Sequence, residues 1–124
     1  LVIRRQRQMC IRDRFKAYAE ANGVDPSVYV GESYDAAALI MLAMCKGGSD
    51  DSATVAANIM SVANGPGTKI YAGELKKGLD LACAGFAVDY DGATDVNFTE
   101  VGEAFGAFLE KGIEGGKFTD VAQR

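Results

Sequence analysis

Asp89, Asp91 and Asp95 crowd around Gly92, and carboxylates gathered at a tight turn could hold a calcium ion. Their spacing departs from an EF-hand loop and no glutamate closes it, so a solvated acidic turn is the simpler reading. Gly112 to Lys117 looks faintly like a phosphate loop. It is one residue short, however, and Phe118 stands where Ser or Thr must hold Mg²⁺, so a flexible hairpin at Gly115-Gly116 accounts for it better. Asn97-Phe98-Thr99 satisfies the sequon for N-glycosylation, but plain strand residues are the simpler reading. The chain has no histidine, which removes His-dependent triads, HExxH zinc sites and the usual neutral-pH base. The inventory therefore predicts no catalysis, no metal and no cofactor.

These residues need elements to position them, and the punctuation of the chain supplies a set. Phe15, Tyr18 and Ala19 mark one face of a short helix that ends at Asn22-Gly23. Asp25-Pro26 makes a turn, and Val28-Tyr29-Val30 reads as a short buried strand. Ser33 is a plausible N-cap for a helix over 34–46, with Asp35 in its first turn near the positive helix end. That helix is apolar nearly all round, the pattern of a buried helix. A second helix follows Ser49-Asp50-Asp51-Ser52. Its Val55, Ile59, Met60 and Ala63 form one stripe, and Asn64-Gly65-Pro66-Gly67 stops it. A third, over 74–84, places Leu75, Leu79, Ala82 and Cys83 on one face. Beyond it the period turns extended, with Val96 and Phe98 alternating and a hairpin joining 107–113 to 117–121. Helices interleaved with short strands predict an α/β fold.

Residues 4–13 reproduce one reading frame of a transposase-library sequencing adapter. Residues 1–14 are therefore set apart from the fold as an adapter-derived, disordered segment. Otherwise its five arginines would suggest a basic arm. Without that segment, residues 15–124 hold 8 basic and 16 acidic side chains, a net charge of −8. Such a balance argues against nucleic-acid binding, which needs clustered Lys and Arg. The most apolar run, Ala36 to Cys45, is ten residues, well short of the roughly twenty that span a bilayer.

Two stretches carry a resemblance: Gly31-Glu32-Ser33-Tyr34-Asp35-Ala36-Ala37-Ala38-Leu39-Ile40, and Tyr90-Asp91-Gly92-Ala93-Thr94-Asp95-Val96-Asn97-Phe98 followed by Val101-Gly102-Glu103. In that order and at that separation, the chain from Phe15 to about Val121 resembles the C-terminal part of the branched-chain amino-acid (Leu/Ile/Val-binding) type I periplasmic solute-binding proteins. The resemblance implies an incomplete piece of a two-lobed α/β fold. Residues 15–103 would belong to the N-terminal lobe, and 104–124 would supply the hinge crossing and a hairpin of the second. It implies no enzyme. The expected protein binds a branched-chain or related amino acid, or a similar small polar solute, in the interlobe cleft and presents it to an ABC permease. The implied location is the periplasm, or the cell exterior on a lipid anchor, with the signal peptide cut away. A sensory ectodomain or an amide-responsive regulator of the same fold is the alternative.

One position carries over to the ligand cleft, Tyr34, which matches a cleft-facing tyrosine in that family. Glu32 could reach the cleft mouth, while Ser33 and Asp35 are better read as capping groups. Cys45 and Cys83 each end a predicted helix. They are either two buried thiols or, in an oxidising compartment, a disulfide. The main ligand clamp of the family lies upstream of this sequence.

Overall fold

The computed structural model describes residues 2–106 and 109–123. Four helices and four strands follow in the order α1 (Val2–Ala21), α2 (Val30–Gly47), α3 (Ser52–Ala63), β1 (Thr68–Tyr71), α4 (Leu75–Cys83), β2 (Val88–Gly92), β3 (Leu109–Glu114) and β4 (Lys117–Gln123). The fold is α/β, as the interleaved pattern predicts. β1 and β2 pair in parallel, Thr68 opposite Val88 and Ile70 opposite Tyr90, with an irregularity where Tyr71 meets Gly92. Since parallel neighbours need a crossover, α4 connects them. The antiparallel hairpin β3–β4 is separate and places Ile113 opposite Phe118.

The core lies where α2, α3 and α4 meet the parallel pair. Ala38, Leu39, Leu42 and Ala43 of α2 pack with Val62 and Ala63 of α3, Ile70 of β1, Ala82 of α4, and Val88 and Tyr90 of β2. Gly78 makes the close approach of α4 possible. A Cβ there would sit 3.1 Å from both Ile70 Cγ2 and Leu42 Cδ2, tighter than ordinary packing contacts. α3 opens on Asp51, whose side chain accepts the Thr54 N–H, the N-cap geometry that acidic and hydroxyl residues favour.

Several expectations change. Residues 2–14 are not disordered but form the first part of α1. Arg, Gln and Met are good helix formers, and this stretch continues directly into the helix around Phe15, so each added residue extends an existing nucleus. Ile11, Phe15 and Ala19, four residues apart, are all buried. Leu1 and Arg124 lie outside the described residues, as do Ala107 and Phe108, where the predicted first strand of the hairpin begins.

Val28-Tyr29-Val30 is not a buried strand. Val28 and Tyr29 are exposed, and α2 starts at Val30, four residues earlier than expected. Ser33 is therefore inside the helix, and the N-cap position falls to Tyr29 with φ of 68° and no side-chain cap. Nor is α2 buried all round, since Ile40 and Met41 face solvent, 45% and 38% exposed. Two strands, β1 and β2, went unread. Phe98 forms only an isolated bridge with Ala104.

Candidate functional site

At the carboxyl ends of β1 and β2, the N-terminal turns of α2 face the segments that leave the sheet. Open α/β sheets generally present ligands at this edge. Asp35 lies at its centre, 2% exposed. Its Oδ1 accepts the Tyr90 hydroxyl at 2.8 Å and the Ala93 N–H at 2.7 Å. Its Oδ2 accepts the Thr94 N–H at 2.9 Å and the Thr94 hydroxyl at 2.6 Å. Asp35 is thus not a helix cap. It is a staple that fixes the turn after β2 to the side of α2.

Burial pushes the Asp35 carboxyl above the usual carboxylate range, and its four hydrogen bonds pull against that rise. Burial, with the Asp35 charge beside it, also pushes the Tyr90 phenol far up. The Tyr90 hydroxyl thus keeps its proton as the donor to Asp35. Gly92, at φ of +60°, has no room for a side chain, because a Cβ would collide with Asp35 Oδ1 and the Tyr90 ring.

Tyr34, next to Asp35 on α2, is half-buried. Its ring packs against Phe15 and Tyr18 of α1, with centroids 5.6 and 6.0 Å away. Its hydroxyl oxygen accepts the Gly73 N–H at 3.1 Å, which ties α2 to the turn after β1. Burial raises its pKa. Glu32 and Ser33 are exposed in the first turns of α2. Tyr34 and Asp35 are thus brought to one edge of the sheet, while Glu32 and Ser33 lie outside their hydrogen-bond network.

The acidic group around Gly92 is not a solvated turn. Asp91 is fully buried and Asp95 is 6% exposed. Asp89 and Asp91 lie on β2 itself and share Lys69 of β1, at 2.5 and 2.9 Å. Arg7 of α1 reaches Asp91 Oδ2 at 2.7 Å and Asp95 Oδ1 at 3.7 Å. The hydrogen bond to Asp91 raises the Arg7 pKa. Burial works against the Lys69 charge, but its two carboxylate partners outweigh that and raise its pKa as well. Asp95 takes φ of 58°, a left-handed conformation that aspartate tolerates better than most side chains. Among the described residues, no group of three His, Cys, Asp or Glu side chains is arranged to hold a metal ion.

The sequence reading missed the partners: Lys69, Tyr90, Ala93 and Thr94. Val88-Asp89-Tyr90-Asp91 carries a period-2 signal that could have marked β2 and its lysine neighbour. The pull of three aspartates and a glycine toward a turn masked it. Cys45, in the last turn of α2, and Cys83, at the end of α4, are joined as a disulfide with Cα atoms 4.5 Å apart. Cys10 is free and exposed. No described helix is long and apolar enough to cross a membrane.

The chain is similar to the chemotactic signal transduction system substrate-binding protein BasB of Halobacterium salinarum, 34% identical over 117 residues. The match takes in 85% of this chain but 28% of that relative, so the chain spans little more than a quarter of its length. No protein-family model matches the chain, and no solved structure matches it.

Proposed function

We propose that the chain is part of an extracytoplasmic solute-binding protein that holds an amino acid or similar small polar solute without a cofactor. The observation that carries this reading is the 34% identity to a substrate-binding protein across 85% of the chain. The arrangement at the sheet edge agrees with it. Asp35 and Tyr34 fix the turns that follow both parallel strands, and a pre-formed edge is what a binding cleft requires. In this reading residues 15–103 belong to one lobe. Residues 104–124 cross to the second, where the hairpin, which packs chiefly on itself here, finds its partner strands. No bond is made or broken. Solute stabilises the closed arrangement of the lobes, and the closed form is what a membrane partner recognises.

The finer form of the proposal is a component of an ABC importer for branched-chain or related amino acids, acting in the periplasm with a permease as partner. A second reading is favoured by the printed role of the similar protein: the captured solute is presented to a signalling receptor instead. Calorimetry on the longer protein that contains this segment, with a panel of amino acids, amides and urea, tests the shared claim. Saturable binding without added metal is expected, and no binding across the panel, or turnover of any solute, would count against it. Permease and ATPase genes beside the coding sequence support import, whereas a kinase-linked receptor gene in their place supports sensing.

A further inference from the structure

We infer that Asn97 is an acceptor site for an N-linked glycan. This rests on the extracytoplasmic location proposed above, and the disulfide between Cys45 and Cys83 fits an oxidising compartment. The sequon Asn97-Phe98-Thr99 is not strand, as its sequence alone suggests. It runs through the irregular segment that follows β2, interrupted only by the bridge of Phe98 to Ala104.

The fold uses the Asn97 backbone rather than its amide group. The Asn97 carbonyl accepts the Phe105 N–H at 2.9 Å. Its Nδ2 donates to the Asp95 carbonyl at 3.5 Å, beyond the usual range of a strong N–H···O bond. The neighbours are held firmly. Phe98 packs partly against the main core, and the Asn64 side chain grips its backbone from both sides, at 2.9 and 2.7 Å. The Thr99 hydroxyl oxygen accepts the Glu103 N–H at 3.1 Å, which leaves the hydroxyl proton available to donate. Asn97, Phe98 and Thr99 are half-buried, and residues 100–106, which follow them, are exposed throughout.

The chemistry is a group transfer. Nδ2 of Asn97 attacks the anomeric carbon of a lipid-linked sugar, a new N–C bond forms, and the C–O bond to the lipid phosphate breaks. The amide proton passes to a base of the transferase and the lipid phosphate departs. No electron carrier is involved.

The test is to export the full chain into a secretory lumen that contains an oligosaccharyltransferase, then weigh it before and after peptide N-glycosidase in heavy-oxygen water. One glycan mass is expected, with Asn97 converted to labelled aspartate on release. The glycan is absent in Asn97→Gln and Thr99→Ala and retained in Thr99→Ser. A Val24→Thr variant completes a second sequon at the exposed Asn22 and serves as an internal control. Modification at Asn22 with Asn97 left bare would overturn the inference. Solute binding by the longer protein is measured separately, so that result would not touch the proposed function.

Discussion

Asp35 and Tyr90 lie 55 positions apart in the chain, yet the Tyr90 hydroxyl donates to Asp35 Oδ1 at 2.8 Å inside the fold. Four donors converge on this one carboxylate, two of them backbone N–H groups with no ladder partner to replace it. Removing the acceptor would leave buried donors unsatisfied, at about 1–3 kcal/mol each. Asp35→Ala is therefore expected to destabilise the chain by roughly 3 kcal/mol or more in urea denaturation. Asp35→Asn keeps an acceptor for Tyr90 and Ala93 but turns its amide NH₂, a donor, toward the Thr94 N–H, so about half the loss is expected. Combined with Tyr90→Phe, its effects should fall well short of additive.

Tyr34 separates a binding role from a packing role. If it lines the solute cleft of the longer protein, Tyr34→Ala should weaken solute affinity by roughly 1–3 kcal/mol, the scale of a lost aromatic anchor. Tyr34→Phe keeps the contacts to Phe15 and Tyr18 but leaves the Gly73 N–H without its acceptor. It should lower the melting temperature slightly and leave affinity nearly unchanged. A drop in stability with no change of affinity in Tyr34→Ala would remove it from the site.

The disulfide should add about 2–4 kcal/mol, the usual range for a bridge of this kind, across a separation of 38 residues. Alkylation before reduction should label Cys10 alone, and after reduction all three cysteines. Cys45→Ala with Cys83→Ala should shift the denaturation midpoint by that amount without loss of helical signal. Three labelled cysteines before reduction would exclude the bridge.

Asp51 gives the acid response a sign. Hydrogen bonds from Ser49 and Thr54 hold its carboxyl far below the usual value near 3.8. A folded pKa lowered in this way contributes stability that is complete above the unfolded pKa and fades as pH falls through the folded one. Asp51→Asn preserves the cap without the charge. The variant should therefore show a flatter loss of stability than the parent between about pH 4 and pH 2, followed by circular dichroism during urea titration.

Apolar surface predicts the behaviour of the chain alone. Ile113, Phe118 and Val121 on the hairpin are 72%, 75% and 61% exposed, and Ile40 and Met41 of α2 are also open. A two-stranded hairpin is at best marginally stable without a covering layer. Residues 15–124 expressed by themselves should bind a hydrophobic dye strongly and melt without a sharp transition. A cooperative melt in a soluble monomer would show instead that this segment folds autonomously.

Much of the fold was legible where local chemistry was strong. α3 after Ser49-Asp50-Asp51-Ser52, α4 and the Gly115-Gly116 hairpin all follow from stripes, stop signals and turn residues. The start of α2 was not, because Val-Tyr-Val carries strand propensity that packing overrides. Gly31 has to sit against Thr94 and Phe15, where a Cβ would lie 3.2 Å from Thr94 Cγ2, and helical geometry carries it there. The same limit hid the site. Asp35 reads as a capping residue because its partners Tyr90, Ala93 and Thr94 are distant in sequence. Asp91 reads as exposed because the lysine that neutralises it belongs to another strand.

The cystine has a topological consequence. It closes a covalent ring that contains all of α3, the loop 64–67, β1 and nearly all of α4. A protease that cuts at Gly65 or Gly67 would sever the backbone inside that ring and release nothing. The two pieces would travel as one band on a non-reducing gel and part only when a thiol is added. That gel reads the connection between the two helix ends directly from how the nicked chain migrates.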